Sequence, residues 1–183
     1  MSFFTRPLVL LAYFAALPLV AHPGWGLVET PDGRLYVADV LNNTVWEIHP
    51  NGTSKMLVQG RHSHALCFDS HGVLWGDHTD YDPQTKNFQR TTWRLDGTRA
   101  MVATGACPGA TRGRLQIPSE IPRAKGWEIW AFQDTPRGTA VLEHAEISAF
   151  EQLLKSGQVV SRLRLIPRQG PTKILWEARG PRP

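Results

Sequence analysis

Long apolar runs, cysteine pairs and catalytic signatures are all scarce in this chain. The only extended apolar segment covers residues 8–20 (LVLLAYFAALPLV), 13 residues broken by Pro18. A helix that crosses a bilayer needs about 20, so no stable membrane span is expected. There are two cysteines, Cys67 and Cys107, and no C-x-x-C pair, so neither a zinc ribbon nor a thioredoxin-type redox site is expected. G-x-S-x-G, P-loop and H-E-x-x-H signatures are absent. His144 lies near Glu143 and Glu146, but at the wrong spacing for the last of these. An excess of one charge is also slight: 20 Lys and Arg against 16 Asp and Glu give a formal +4. The basic residues are scattered, and no basic helix interleaved with aromatics appears, so nucleic acid is not an expected partner.

What remains is a chain of 183 residues, long enough for an ordinary core. It has 16 Gly, 14 Pro and seven Trp, which favours many turns and short strands over a helical bundle. Arg6, the apolar run and Ala21 together have the layout of a secretory signal peptide over residues 1–21. Cleavage after Ala21 predicts a secreted or periplasmic protein beginning at His22; an uncleaved segment would anchor it to the membrane. In an oxidising compartment Cys67 and Cys107 can pair. Cys67, in an apolar stretch, also reads as a small buried hydrophobe.

An internal repeat organises residues 22–105. Residues 25–39 (WGLVETPDGRLYVAD) align with residues 64–78 (HALCFDSHGVLWGDH) at a constant offset of 39. Leu27 falls on Leu66, Gly33 on Gly72, Leu35 on Leu74 and Tyr36 on Trp75. The second halves also match: Val45-Trp46-Glu47-Ile48 with Thr92-Trp93-Arg94-Leu95, and Gly52-Thr53 with Gly97-Thr98. The second copy carries an insertion over residues 80–87. Each copy reads as four short strands with glycine at the first turn, where positive φ is needed. Strands this short cannot bury both faces alone, but stacked four-stranded units can, and a period near 40 residues suits a propeller blade.

The first copy resembles an NHL repeat. Gly26, Asp32-Gly33, Tyr36-Val37-Ala38-Asp39, Asn42-Asn43 and Asn51-Gly52 stand where that family's pattern has its glycine strand, turn, Tyr-Val-Ala-Asp strand, Asn-Asn turn and closing turn. In the second copy Asp77-His78 replaces the Ala-Asp end, and the insertion replaces Asn-Asn. The broader class includes the gluconolactonase-like (SMP-30) and streptogramin-lyase-like propellers. The expected fold is therefore mainly β: a partial or truncated propeller with four-stranded antiparallel blades at 22–60 and 61–105, plus a C-terminal α+β segment.

Residues 106–183 offer no third copy at this stage. Residues 127–132, 158–166 and 173–177 suggest strands, and Ile147, Phe150 and Leu153/Leu154 suggest a short helix near 145–155. Two origins compete: degenerate blades with a helical insertion, or an aberrant tail after loss of reading frame, with its Arg/Pro/Gly bias.

Candidate site residues follow from the repeat. In the architecture the resemblance implies, the loop into the first strand and the end of the second strand reach the central channel. Asp39, His64, Asp77 and His78 occupy these places and are the candidate ligand-binding residues. His64, Asp77 and His78 also suit a divalent metal such as Ca, Zn or Mn, and lactonase relatives hold a metal in the channel. Against this, Asp39 suits hydrogen bonding to backbone N–H groups of the following turn, His64 and His78 suit strand-end hydrogen bonds, and Trp46 and Trp93 suit core packing. An N-terminal His22 offers copper an amino group and a ring nitrogen, with no second ligand spaced to join it. The leading functional expectation is an exported scaffold that binds a small molecule or a protein, with self-association through exposed blade faces. The rival is a metal-dependent hydrolase or lyase of the gluconolactonase or streptogramin-lyase kind.

Overall fold

The computed structural model describes residues 26–105, 117–146 and 157–180. Twelve strands form three four-stranded antiparallel sheets, each with its strands in chain order. The first sheet comprises β1 (Leu27–Glu29), β2 (Leu35–Asp39), β3 (Thr44–Ile48) and β4 (Ser54–Gln59). The second comprises β5 (Leu66–Phe68), β6 (Leu74–Asp82), β7 (Asn87–Asp96) and β8 (Arg99–Ala103). The third comprises β9 (Trp127–Thr135), β10 (Gly138–Ala145), β11 (Val159–Pro167) and β12 (Lys173–Arg179).

The first two sheets keep the register of the sequence repeat. Leu27 pairs with Val37 and Glu29 with Leu35; 39 residues on, Leu66 pairs with Gly76 and Phe68 with Leu74. Both first turns place glycine at positive φ, Gly33 at 82° and Gly72 at 75°, where a β-carbon would be strained. The inserted residues 80–87 lengthen the β6–β7 hairpin. Its outer part, from Asp80 to Gln89, pairs only within itself, since β5 pairs no further along β6 than Gly76, Thr79 donates its N–H to the His62 carbonyl, and β8 pairs no further along β7 than Thr92. Tyr81 and Phe88 stack across its tip with ring centroids 5.3 Å apart.

The C-terminal region departs from expectation. No α-helix occurs among the described residues, and in place of an α+β segment stands the third sheet. The helix sought near 145–155 begins on Ala145, which ends β10; residues 147–156 lie outside the described residues, as do the signal region, His22 and Cys107. Cys67 is disulfide-bonded.

The first sheet lies in the middle. Val28, Tyr36, Ala38, Val45 and Val58 on one face pack with Leu66, Leu74 and Trp93 of the second sheet. Leu27, Leu35, Val37 and Ile48 on the other pack with Ala131, Ala140, Leu142 and Leu163 of the third. The two junctions differ in kind. Leu66 and Leu74 are the counterparts of Leu27 and Leu35, so the first and second sheets meet unlike face to unlike face, as repeated blades do. Ala140 and Leu142 stand 105 residues after Leu35 and Val37, so the third sheet meets the first like face to like face. None of the three sheets is closed on itself.

Candidate functional site at the junction of the sheets

The edge strand β1 lies beside the edge strands β5 and β9 of the other two sheets, and the second strands β2, β6 and β10 deliver polar side chains to that junction. Asp77, at 3 % exposure, is buried by its position in β6. Its Oδ1 accepts the backbone N–H groups of His64 (2.7 Å) and Ala65 (2.8 Å), and its Oδ2 lies 2.5 Å from Arg90 Nη2. Ser63 Oγ donates to the Asp77 carbonyl at 2.6 Å, and Trp93 Nε1 donates to the same carbonyl at 2.8 Å. Asp77 therefore ties the loop entering β5 to the end of β6. His78 does the same one residue on: its Nδ1 accepts the His62 N–H at 3.0 Å.

His64 is half-buried. Its ring stands edge-on to His62 (4.7 Å between centroids) and to Trp130 of β9 (6.0 Å). Burial lowers the affinity of both imidazoles for a proton, and His62 and Arg90 push His64 the same way while Asp77 opposes them. His62 Nδ1 also lies 2.8 Å from Asn43 Oδ1.

Asp39 ends β2 and is fully buried. Its Oδ2 accepts from Asn42 Nδ2 at 2.6 Å, within the turn that follows, and its Oδ1 accepts from Ser161 Oγ at 2.7 Å across the sheet junction. Burial raises its pKa; the Asn42 and Ser161 hydrogen bonds oppose that rise. Ser161 Oγ is 3.0 Å from His144 Nδ1. A hydroxyl has one proton, so with that proton given to Asp39, Ser161 accepts from His144 Nδ1–H and His144 Nε2 is left as the acceptor. Burial, with a smaller contribution from His64, holds the His144 pKa down to about 3, so the ring is neutral. Trp130 lies between the two imidazoles, 5.1 Å from His144. Neither Trp130 Nε1 nor His144 Nε2 has a hydrogen-bond partner among the described residues. The free space beside Trp130, His64 and Leu142 is about 10 Å³, room for about one water.

His144 and Ser161 escaped the sequence reading. Their signal was Thr135-Pro136-Arg137-Gly138, which repeats Thr30-Pro31-Asp32-Gly33 at an interval of 105 residues. That interval carries Asp39 onto His144. The pairing with the third strand agrees: Asp39 lies opposite Thr44, His78 opposite Thr91 and His144 opposite Ser161, a hydroxyl residue each time, while β9 is shifted by one residue, with Gln133 opposite Ala140.

Chemically the junction is closed and internally bonded. The order Asp39–Ser161–His144 is not that of a nucleophile relay, in which the histidine stands between serine and carboxylate. All three side chains are buried, so a substrate carbonyl has no path to Ser161. His64, Asp77 and His78 do not come together as a metal cage: no group of three or more His, Cys, Asp or Glu able to hold a metal ion occurs among the described residues. The physical reason is that Asp77 is held by Arg90 and two backbone amides, and His78 Nδ1 by a third. Among the described residues no helix is long and apolar enough to cross a membrane. No protein-family model matches the chain, and no curated protein matches it significantly.

A wide concave surface lies elsewhere, between the first and second sheets at their turn ends, with a volume of about 1070 Å³. Its wall is the row Tyr36–Glu47–Lys55 across β2, β3 and β4. Glu47 Oε1 accepts from Arg34 Nη1 at 2.8 Å and from Tyr36 O–H at 3.2 Å. Burial, and then the Glu47 charge, push the Tyr36 pKa up to about 12.

Proposed function

We propose that the chain is an exported binding scaffold built from NHL-type propeller blades, with no catalytic role for its histidine cluster. The single observation that supports this most is that both Asp39 oxygens, Asp77 Oδ1 and His78 Nδ1 are taken up by bonds that fasten turns, loops and sheets, while Asp77 Oδ2 faces Arg90. Residues placed where a channel site would be are used here to fasten loops and sheets. Support for the blade reading comes from the first two sheets, which keep the register of the sequence repeat and pack unlike face to unlike face.

Metal analysis of purified protein, with and without His64→Ala, tests the proposal. The expected result is no stoichiometric metal in either. A full equivalent of Zn, Ca or Mn that disappears in the variant would instead support the hydrolase or lyase. Export is tested by N-terminal sequencing of the mature protein, which should begin at His22.

A further inference from the structure

The wide groove between the first and second sheets has a chemistry of its own, separate from the histidine junction. Its floor is apolar and aromatic. The Tyr36 ring meets Phe68 edge-on at 5.1 Å between centroids, and Leu57, Leu74 and Leu95 continue that floor. Sites that hold small molecules are commonly concave and apolar with a few fixed polar groups, and this groove fits that description.

Its polar groups are weighted to one sign. Asp32, Glu47 and Asp69 line it, against Arg34 and Lys55. Arg34 is already shared, with Nε on Asp32 and Nη1 on Glu47, both at 2.8 Å. The chain as a whole carries a formal +4, so an acidic excess here runs against the average. The carboxylates are also fixed in place. Asp69 accepts from the Trp75 indole and from the backbone of His71 and Val73, and these bonds hold its pKa below the usual range, as the Thr30 and Arg34 bonds do for Asp32. Glu47 is 8 % exposed. All its hydrogen bonds fall on Oε1, and Oε2 accepts none among the described residues. A buried carboxylate held by one oxygen leaves the other as a preset acceptor beside an aromatic floor. The Tyr36 ring already has a cation near it, with the Arg34 guanidinium carbon 6.0 Å from its centroid, so the wall tolerates positive charge over its aromatic surface.

We propose that this groove binds a ligand that joins an ammonium or guanidinium group to an apolar or aromatic body. The cation meets Glu47 Oε2 and the acidic rim, and the body covers the partly buried Phe68, Leu57 and Leu95. This deepens the scaffold reading and rests on it.

The test uses three probes of one shape and different charge: 2-phenylethylamine, 2-phenylethanol and phenylacetate, titrated by calorimetry and by chemical-shift perturbation into the full mature protein. Saturable binding of the amine, about tenfold tighter than the alcohol, with no binding of the carboxylate, is the expected result. The advantage of the amine should shrink as salt rises. Glu47→Gln should bring the amine down to the level of the alcohol. Because that change also disturbs Arg34, Asp69→Asn provides a second reading and should weaken the amine alone. Equal binding of all three probes, binding of none, or an unchanged amine affinity in both variants overturns the inference. The scaffold reading falls on a different result, the His64-dependent metal described above.

Discussion

At the scale of single residues, the junction places buried polar groups where their loss has calculable consequences. Asp77→Ala leaves the amides of His64 and Ala65 and the Arg90 guanidinium without their acceptor. Arg90 is exposed enough to be solvated, so the cost comes mainly from the unpaired amides, about 1–3 kcal/mol, and urea denaturation should show a loss of that order. Gly76→Ala is a steric test of the same region: a β-carbon there would lie 2.2 Å from Trp93 Cζ2. Trp93 must move, and overpacking of this kind costs roughly 1–3 kcal/mol. The acid dependence has a definite sign. The His144 pKa is about 3 in the fold and near 6.5 when unfolded. Between these values the unfolded chain binds the extra proton, so this residue's contribution is full above about pH 6.5 and is lost as pH falls toward 3. His62 and His64 are lowered and act in the same direction. Asp39 is raised, so its ionised form is disfavoured in the fold and its protonation at low pH partly offsets the loss. His144→Gln should flatten the slope of unfolding free energy between pH 7 and pH 5, whatever it does to absolute stability.

At the scale of elements, the β6–β7 hairpin and the third sheet make opposite predictions. The outer hairpin has no neighbouring strand on either side, and Phe88 is 74 % exposed. Phe88→Ala removes a cross-strand aromatic pair worth about 0.2–1 kcal/mol. Hydrogen exchange should quicken from Asp80 to Gln89, with global stability changed by less than about 0.5 kcal/mol. Leu142→Ala, by contrast, empties a fully buried place against Leu35 and Val37 and should cost about 2–5 kcal/mol in equilibrium unfolding. The difference between these elements also marks what the sequence could show. Strands β1 to β8 were legible because Leu27/Leu66, Gly33/Gly72 and Leu35/Leu74 keep one spacing, so that even β2, buried on both faces, is marked by its counterpart. Strands β9, β11 and β12 showed as local alternation, but β10 did not. Residues 140–145 are buried on both faces, which erases the period-two pattern, and Arg137 in place of Asp32 hid the matching turn. The polar junction was half legible for a similar reason. Asp39, His64, Asp77 and His78 lay on the repeat, whereas Ser161 reaches Asp39 from 122 residues away, a distance no local pattern encodes.

At the scale of the whole molecule, the order of the sheets in space is third, first, second. The first sheet shows apolar residues on both faces, so it depends on both of its neighbours. A chain ending after Gly105 would uncover Leu27, Leu35, Val37 and Ile48 at once. Such a fragment should bind a hydrophobic dye and aggregate in a sedimentation run where the full chain stays dispersed.

That arrangement also sets a schedule. The sheet synthesised earliest is the one that ends up in the centre, and its second neighbour is made last. Until β9 to β12 have been made, the first sheet keeps one greasy side open. Folding of this molecule is therefore a waiting problem, and a holding chaperone would have the residues around Leu35 and Val37 as its natural grip.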